Sequence, residues 1–473
     1  MVRRQWQMAM LGSALAVLAS GVAIAADGDL DPAFGEGGVS TIVPDGTSTI
    51  ALIPMRALAL ADGKLLFSGA HHYLPPENPP FEPEIRGMLM RMNADGSADA
   101  SFGNSSTPGV VVLPDLVPGT RIQSVDAMVR LDDGSIVGVG YGVADAPTQG
   151  FVVKLGPDGV PDATFGNGGI ALLPDLNLHA VAVDAAGRIV ACGEQLLDHL
   201  NTSMVVRFDA AGALDPAFGD DGIVTITWSD PAQAGYLSDI VPTAEGGIIV
   251  GGRFAAYGPG INSDFAIARL APDGSFDTAF GGSGWRVFHD ESGTSMTNGI
   301  DRLALLPDGR IVFAGYHAAG KNVRGAVLGR LAADGSTDAT FGDATTPGYL
   351  YFDGVPDVRS MNASALAIQP DGKPVVALTY FSSAEDQQFL ALRATGDGLL
   401  DASFADAGIF RLVLAPSGMP TDLRALTLQQ DGRIVLAGRA VESFDPPLTD
   451  MAVVRLLNTP AATDAIFADG FDG

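Results

Sequence analysis

Residues 88–103 read MLMRMNADGSADASFG. An apolar run carries one basic residue, Arg91, and ends at Asp95-Gly96, where glycine supplies the positive φ that such a turn needs. Eleven residues after Arg91 comes Phe102, inside the motif Asp99-x-x-Phe-Gly103. Working outward, the same Asp-x-x-Phe-Gly motif recurs at Asp31, Asp162, Asp215, Asp277 and Asp338, and in a variant with Ala405 at Asp401. Its phenylalanines are Phe34, Phe102, Phe165, Phe218, Phe280, Phe341 and Phe404, spaced 53 to 68 residues apart. The basic residues are Arg91, Lys154, Arg207, Arg269, Arg330, Arg393 and Arg455, and each of the first six precedes the next Phe by eleven residues. An invariant spacing of this kind points to one rigid joint, repeated.

Between these motifs lies an apolar alternation, a turn that is usually Asp-Gly, and a second apolar run often ending in Gly, as in Leu58–Gly69, Leu303–Gly315 and Leu426–Gly438. Alternation around Asp-Gly is a β-hairpin pattern. Each unit therefore holds four short strands: one after Phe-Gly, as at Gly38–Val43, two in the hairpin, and one carrying the basic residue. Helical periodicity is absent. Seven units of about sixty residues predict an all-β chain, a seven-bladed β-propeller with about four antiparallel strands per blade.

The segments LDPAFGEGG (residues 30–38), ALADGKLLFSG (59–69) and MLMRMNADGSADASFG resemble the bacterial delta-60 repeat, a β-propeller repeat family, and the resemblance covers roughly residues 28–458. It implies a secreted or cell-envelope propeller and supplies no catalytic residues.

The N-terminus reads as a secretory signal peptide over residues 1–25: Arg3 and Arg4, an apolar stretch from Met8, then Ala23-Ile24-Ala25 as a small-x-small cleavage site. The expected organisation is a propeller over 26–457 and a linker with a short tail over 458–473, in a periplasmic or secreted, monomeric protein with no membrane span once processed. The 473-residue chain is 47% apolar and 17% charged, too hydrophobic for disorder. A formal net charge of −28 repels phosphate backbones and anionic lipid, which sets nucleic acid and membrane surfaces aside as partners.

Length variation falls on one side of the units. From each Phe to the next hairpin Gly takes 22 to 32 residues, and from that Gly to the basic residue takes 20 to 28. Variable loops on a repeated scaffold mark the face expected to hold a polysaccharide or protein partner. The longest loop, residues 71–86, is proline-rich and offers Tyr73 and Phe81 as aromatic contacts. Trp228, ten residues after Phe218, would line the channel mouth if the strands that follow Phe-Gly are innermost.

No catalytic or metal-ligating set stands out. Cys192, the only cysteine, occupies a slot filled elsewhere by Ser68, Val139, Gly251, Ala314, Leu378 and Ala437, and so reads as a buried, inert thiol. His71, His72, His179, His199, His289 and His317 show no metal spacing and read as solvated loop residues. The Asp-Gly turns lack the alternating oxygen ligands of a calcium loop, so no cofactor is expected, with calcium the one to test. The recurring basic residues read as structural partners of nearby carboxylates. The expected function is a non-catalytic binding or interaction module. The alternative is a secreted enzyme acting on an extracellular polymer, with carboxylates at the propeller mouth.

Overall fold

A computed structural model describes residues 26–459 apart from 45–48, 74–83, 104–106, 144–147, 198–199, 229–233, 256–262, 290–296, 321–322, 354–357, 383–386, 416–418 and 445–446. The described residues form strands joined by turns, with no helix among them. The chain opens with β1 (Val39–Ile42). The first four-stranded meander is β2 (Thr49–Ala59), β3 (Leu65–Tyr73), β4 (Glu84–Met92) and β5 (Val110–Val112). The next is β6 (Ile122–Arg130), β7 (Ile136–Val143), β8 (Gln149–Leu155) and β9 (Ile170–Pro174). β10 (Leu176–Val183), β11 (Ile189–Leu197), β12 (Leu200–Phe208) and β13 (Ile223–Ile226) follow, then β14 (Ala234–Pro242), β15 (Ile248–Ala255), β16 (Ser263–Leu270) and β17 (Trp285–Phe288). The pattern repeats in β18 (Gly299–Leu305), β19 (Ile311–Gly320), β20 (Val323–Leu331) and β21 (Tyr349–Phe352), and in β22 (Val358–Ile368), β23 (Pro374–Ser382), β24 (Phe389–Arg393) and β25 (Ile409–Leu412). The last is β26 (Thr421–Leu428), β27 (Ile434–Phe444) and β28 (Pro447–Leu456), with β1 as its fourth strand through Val39↔Val454 to Ile42↔Met451.

This order corrects the expected numbering within a unit. The strand after Phe-Gly does not begin a sheet; it is the outer edge of the sheet whose third strand carries the basic residue. The inner edge is the strand before the Asp-Gly turn. Those inner strands touch in succession, β2 with β6, β6 with β10, and so on through β26, which lies against β2.

The joints explain the fixed spacing. Arg207 pairs its Nε with Asp215 at 2.9 Å, sets its guanidinium 4.4 Å from the Phe218 ring centre, and donates to Pro272 O in the following unit. Arg91, Arg269, Arg330, Arg393 and Arg455 stack on Phe102, Phe280, Phe341, Phe404 and Phe34 in the same way. Lys154, which cannot stack as a planar cation, keeps only the ion pair to Asp162 at 3.2 Å. The last arginine uses the first joint: Arg455 meets Asp31 at 2.8 Å and donates to Ala94 O at 2.5 Å. Between the sheets, apolar clusters such as Phe265, Phe280, Phe313 and Val327 fill the space from neighbouring faces.

A further glycine requirement lies inside the hairpins. A Cβ on Gly252 would sit 1.8 Å from Tyr236 O, and one on Gly193 would sit 1.8 Å from Asn177 O. Neither neighbour is a flexible side-chain tip, so the backbone itself must move. Gly252→Ala is expected to destabilise by about 1–3 kcal/mol, the range for overpacking a tight contact. Urea unfolding checks this; an unchanged midpoint would mean that the backbone contact yields freely.

Candidate functional site: the row of bulges facing the axis

The inner strands break register at one shared place. The breaks fall between Pro54 and Arg56, Val125 and Ala127, Leu178 and Ala180, and Leu237 and Asp239. They continue between Ile300 and Arg302, Ala363 and Ala365, and Leu423 and Ala425. Each break ejects one residue from the ladder as a β-bulge, a device that re-aims a side chain. The ejected residues are Met55, Asp126, His179, Ser238, Asp301, Ser364 and Arg424. The compressed backbone at each bulge presses a carbonyl onto the strand behind it, which is why Gly69, Gly140, Gly193, Gly252, Gly315 and Gly438 lie opposite. Leu378 takes that glycine's place on β23, and the register there aligns Ala377, not Leu378, with Cys192.

Charge converges along this row. Arg56 is held down to about 9 by burial first and then by the Arg302 guanidinium, while Asp239 and Asp126 act against them. Those four groups come from the inner strands of four different units, β2, β6, β14 and β18, and the inner strands touch in succession, which gathers the groups around one axis. Their carboxylates are engaged locally. Asp239 Oδ2 accepts from Leu303 N at 2.7 Å, and Asp301 Oδ2 accepts from Ala363 N at 3.1 Å and Asn362 Nδ2 at 3.4 Å. Ser124 Oγ donates to Asp126. Arg302 Nε donates to Ser364 O at 2.8 Å, and Arg424 pairs with Asp422, which also holds Arg439.

Burial tunes several of these groups. It pushes Asp301 up to about 6 against the opposing charge of Arg302, and it raises Asp126. Burial works against protonated His179, yet the Glu194 carboxylate 2.7 Å from its Nε2 more than offsets this and raises it. Tyr141 lies edge-on to His179 at 5.8 Å. Nearby, Arg253 sits 4.2 Å above the Tyr236 ring and donates to Tyr316 Oη at 3.1 Å. The row thus combines cations, carboxylates of which Asp301 is pushed up to about 6, hydroxyls and aromatic edges. It suits recognition of a polar ligand, and Asp301 is suited to proton transfer.

Of the residues singled out from sequence, Tyr73 ends β3, is half-buried and donates to Glu84 Oε2 at 2.5 Å beside Arg86. Phe81 lies outside the described residues. Trp228 is at the outer edge, after β13, not at a channel mouth. It is 5% exposed, donates Nε1 to Ser203 Oγ at 3.0 Å, and meets Trp285 edge-on at 6.2 Å. The reason is the order of strands: whatever follows Phe-Gly is outermost. Cys192 is fully buried, and burial followed by Asp239 and Glu194 pushes its thiol well up. His71 and His317 are buried strand residues, not solvated loop ones, and His317 Nε2 lies 2.9 Å from Asp353. Among the described residues no three His, Cys, Asp or Glu side chains gather as a metal site.

The bulge row was missed by reading the sequence, although a marker was present. Each ejected residue lies eight positions before the glycine of its hairpin turn, as Met55 does before Gly63 and Arg424 before Gly432. In the fourth hairpin that glycine is Gly246, at φ +83°, not the adjacent Gly247.

Residues 131–165, 245–280 and 306–341 match a family model described as a domain of unknown function (DUF5122) beta-propeller, which fits a delta-60-like repeat β-propeller. No curated protein matches the chain. Among solved structures, the chain is similar to Sqt1 from Chaetomium thermophilum at 11% identity, over 89% of this chain and 98% of that one, with a TM-score of 0.42. It is similar to extracellular domains 1-2 of Drosophila Semaphorin 1a at 10% identity, over 92% and 90%, with a TM-score of 0.42. A subtype N11 neuraminidase-like protein from a flat-faced bat isolate (H18N11) is similar at 12% identity, over 75% and 91%, with a TM-score of 0.41.

Proposed function

We propose that this repeat β-propeller chain closes as seven blades, with β1 completing the last, and that it is exported and acts as a non-catalytic binding module. The partner is a polysaccharide or protein held on the variable-loop face and the adjoining axial channel. One observation carries the reading. At the bulge position the seven units present Met55, Asp126, His179, Ser238, Asp301, Ser364 and Arg424, while their joint arginines, phenylalanines and turn glycines recur almost unchanged. A scaffold that repeats its structural residues and varies those at its inner-strand bulges is suited to recognise something asymmetric.

A second reading, an enzyme acting on an extracellular polymer, is favoured by Asp301. Its carboxyl, pushed up to about 6 and set in the same axial row as Asp126, could serve as a general acid. Incubating residues 26–473 with bacterial and plant polysaccharides and assaying new reducing ends separates the two. The binding reading expects retention of one polymer without product; product formation that Asp301→Asn abolishes would replace it with the enzymatic one.

A further inference from the structure

Two cations of the axial row, Arg302 and Arg56, have no carboxylate at ion-pair distance among the described residues, and Arg56 has the weaker hydrogen bonding of the two. Asp239, Asp301 and Asp126 each accept hydrogen bonds from neighbouring donors, Arg424 is tied to Asp422, and Arg302 donates to Ser364 O and Asp301 O. Arg56 is different. Its one hydrogen bond is a long one, 3.4 Å, from Nη1 to Met55 O. It lies beside the bulge of β2, half-buried, with the like charge of Arg302 acting on it more strongly than Asp239 or Asp126 and no carboxylate within ion-pair distance among the described residues. A guanidinium withdrawn from bulk water and left without an anion is costly to keep. Its planar fork suits two parallel hydrogen bonds to a carboxylate.

We infer that the axial channel binds a small hydroxylated carboxylate, a sugar acid, whose carboxylate pairs with Arg56 and whose hydroxyls meet Ser238, Ser364, His179 and Asp126 around the row. The inference rests on the binding reading above and names its ligand. The net charge of −28 sets the size of the ligand. A long polyanion would lie across many surface carboxylates. A single carboxylate deep in the channel is screened from them beyond about 8–10 Å at physiological salt. The mixed row also fits a sugar acid better than a bare anion such as sulfate, which would face Asp126 and Asp239 without hydroxyls to donate to them.

The test is calorimetric titration of residues 26–473 with D-glucuronate, D-galacturonate, an oligogalacturonate, D-glucose and inorganic sulfate. A monomeric uronate is expected to bind at least tenfold more tightly than D-glucose or sulfate. Arg56→Gln should lower uronate affinity at least tenfold without lowering the melting temperature, because it removes the repulsion with Arg302. Arg56→Lys, which keeps the charge and loses the fork, should fall between. An oligogalacturonate that binds more tightly than its monomer would place the acid at the end of a polymer; a weaker one would mark the free sugar acid as the ligand. Either supports the site. Equal affinity for glucose and uronate, or uronate binding untouched by Arg56→Gln, overturns it. A neutral polysaccharide that binds while every acid fails overturns the inference and leaves the binding reading standing. Polymer cleavage, with uronate still held through Arg56, does the reverse.

Discussion

A chain beginning at residue 45 will not unfold cooperatively and will associate through its exposed edge. Removing residues 26–44 strips β1 from β28 and leaves Met451 to Val454 without their ladder partners. It removes Phe34, which is fully buried, and truncating one such side chain costs about 3–5 kcal/mol. It also strands Arg455 beside the vacated Asp31 position, a further cost of about 3–5 kcal/mol for a buried ion pair broken from one side. Together these consume most of the 5–15 kcal/mol that typically separates folded from unfolded chains. An unpaired apolar edge such as β28 is also a template for association. Circular dichroism melting with size-exclusion chromatography checks this. A monomer with a sharp transition close to that of the longer chain would show that β1 is dispensable.

Arg393→Met should be the most damaging single substitution at the joints. Arg393 is 1% exposed and bridges Asp401 at 2.9 Å, Asp27 at 2.9 Å and Asn458 Oδ1 at 2.6 Å, over the ring of Phe404. The change leaves Asp27 without a cation and Asp401 with Lys373 alone, at 3.1 Å, so about 3–5 kcal/mol is expected. Lys154→Met, at the joint with one ion pair and no stacked ring, should cost about 1 kcal/mol or less. Denaturant midpoints for the two variants measure the gradient, and equal losses would mean that the joints do not carry stability in proportion to their contacts.

The same joints set the acid limit. Burial alone would raise Asp338 and Asp401, yet hydrogen bonds from Thr340 and Ser403 and the charges of Arg330 and Arg393 hold both down to about 2. Their folded values lie below the unfolded 3.8, so their stabilisation is complete above about pH 4 and is lost as pH falls toward 2. Melting temperature should therefore drop steeply between pH 4 and 2, and a flat profile there would contradict the pairing.

Much of the fold was legible because the joint is chemically loud. Asp, Phe, Gly and a basic residue at fixed separations must pack as one object, and the Asp-Gly turns fix where hairpins reverse. The position of a strand within its sheet was not legible. An apolar tetrapeptide such as Val39–Ile42 is equally suited to an inner or an outer edge, and only the long-range pairing with β28 decides it. Trp228 was misplaced for that reason alone. The site was harder still, because a bulge makes its residue look like a polar flaw in an apolar strand. Asp126 within Val125-Asp126-Ala127-Met128 reads as noise until the spacing to Gly134 is compared across all units. The glycines opposite the bulges were visible but read as strand ends, since the carbonyl pressing on them comes from another strand.

The most direct test of the binding account is a thermal-shift panel on residues 26–473 with bacterial and plant polysaccharides, sugar acids, and calcium with and without chelator. A ligand that binds only the folded state raises the melting temperature by mass action. The account predicts a rise with one carbohydrate, diminished when Arg56 or His179 is replaced and when residues 74–83 are shortened. A rise with calcium alone, or with no member of the panel, would contradict it.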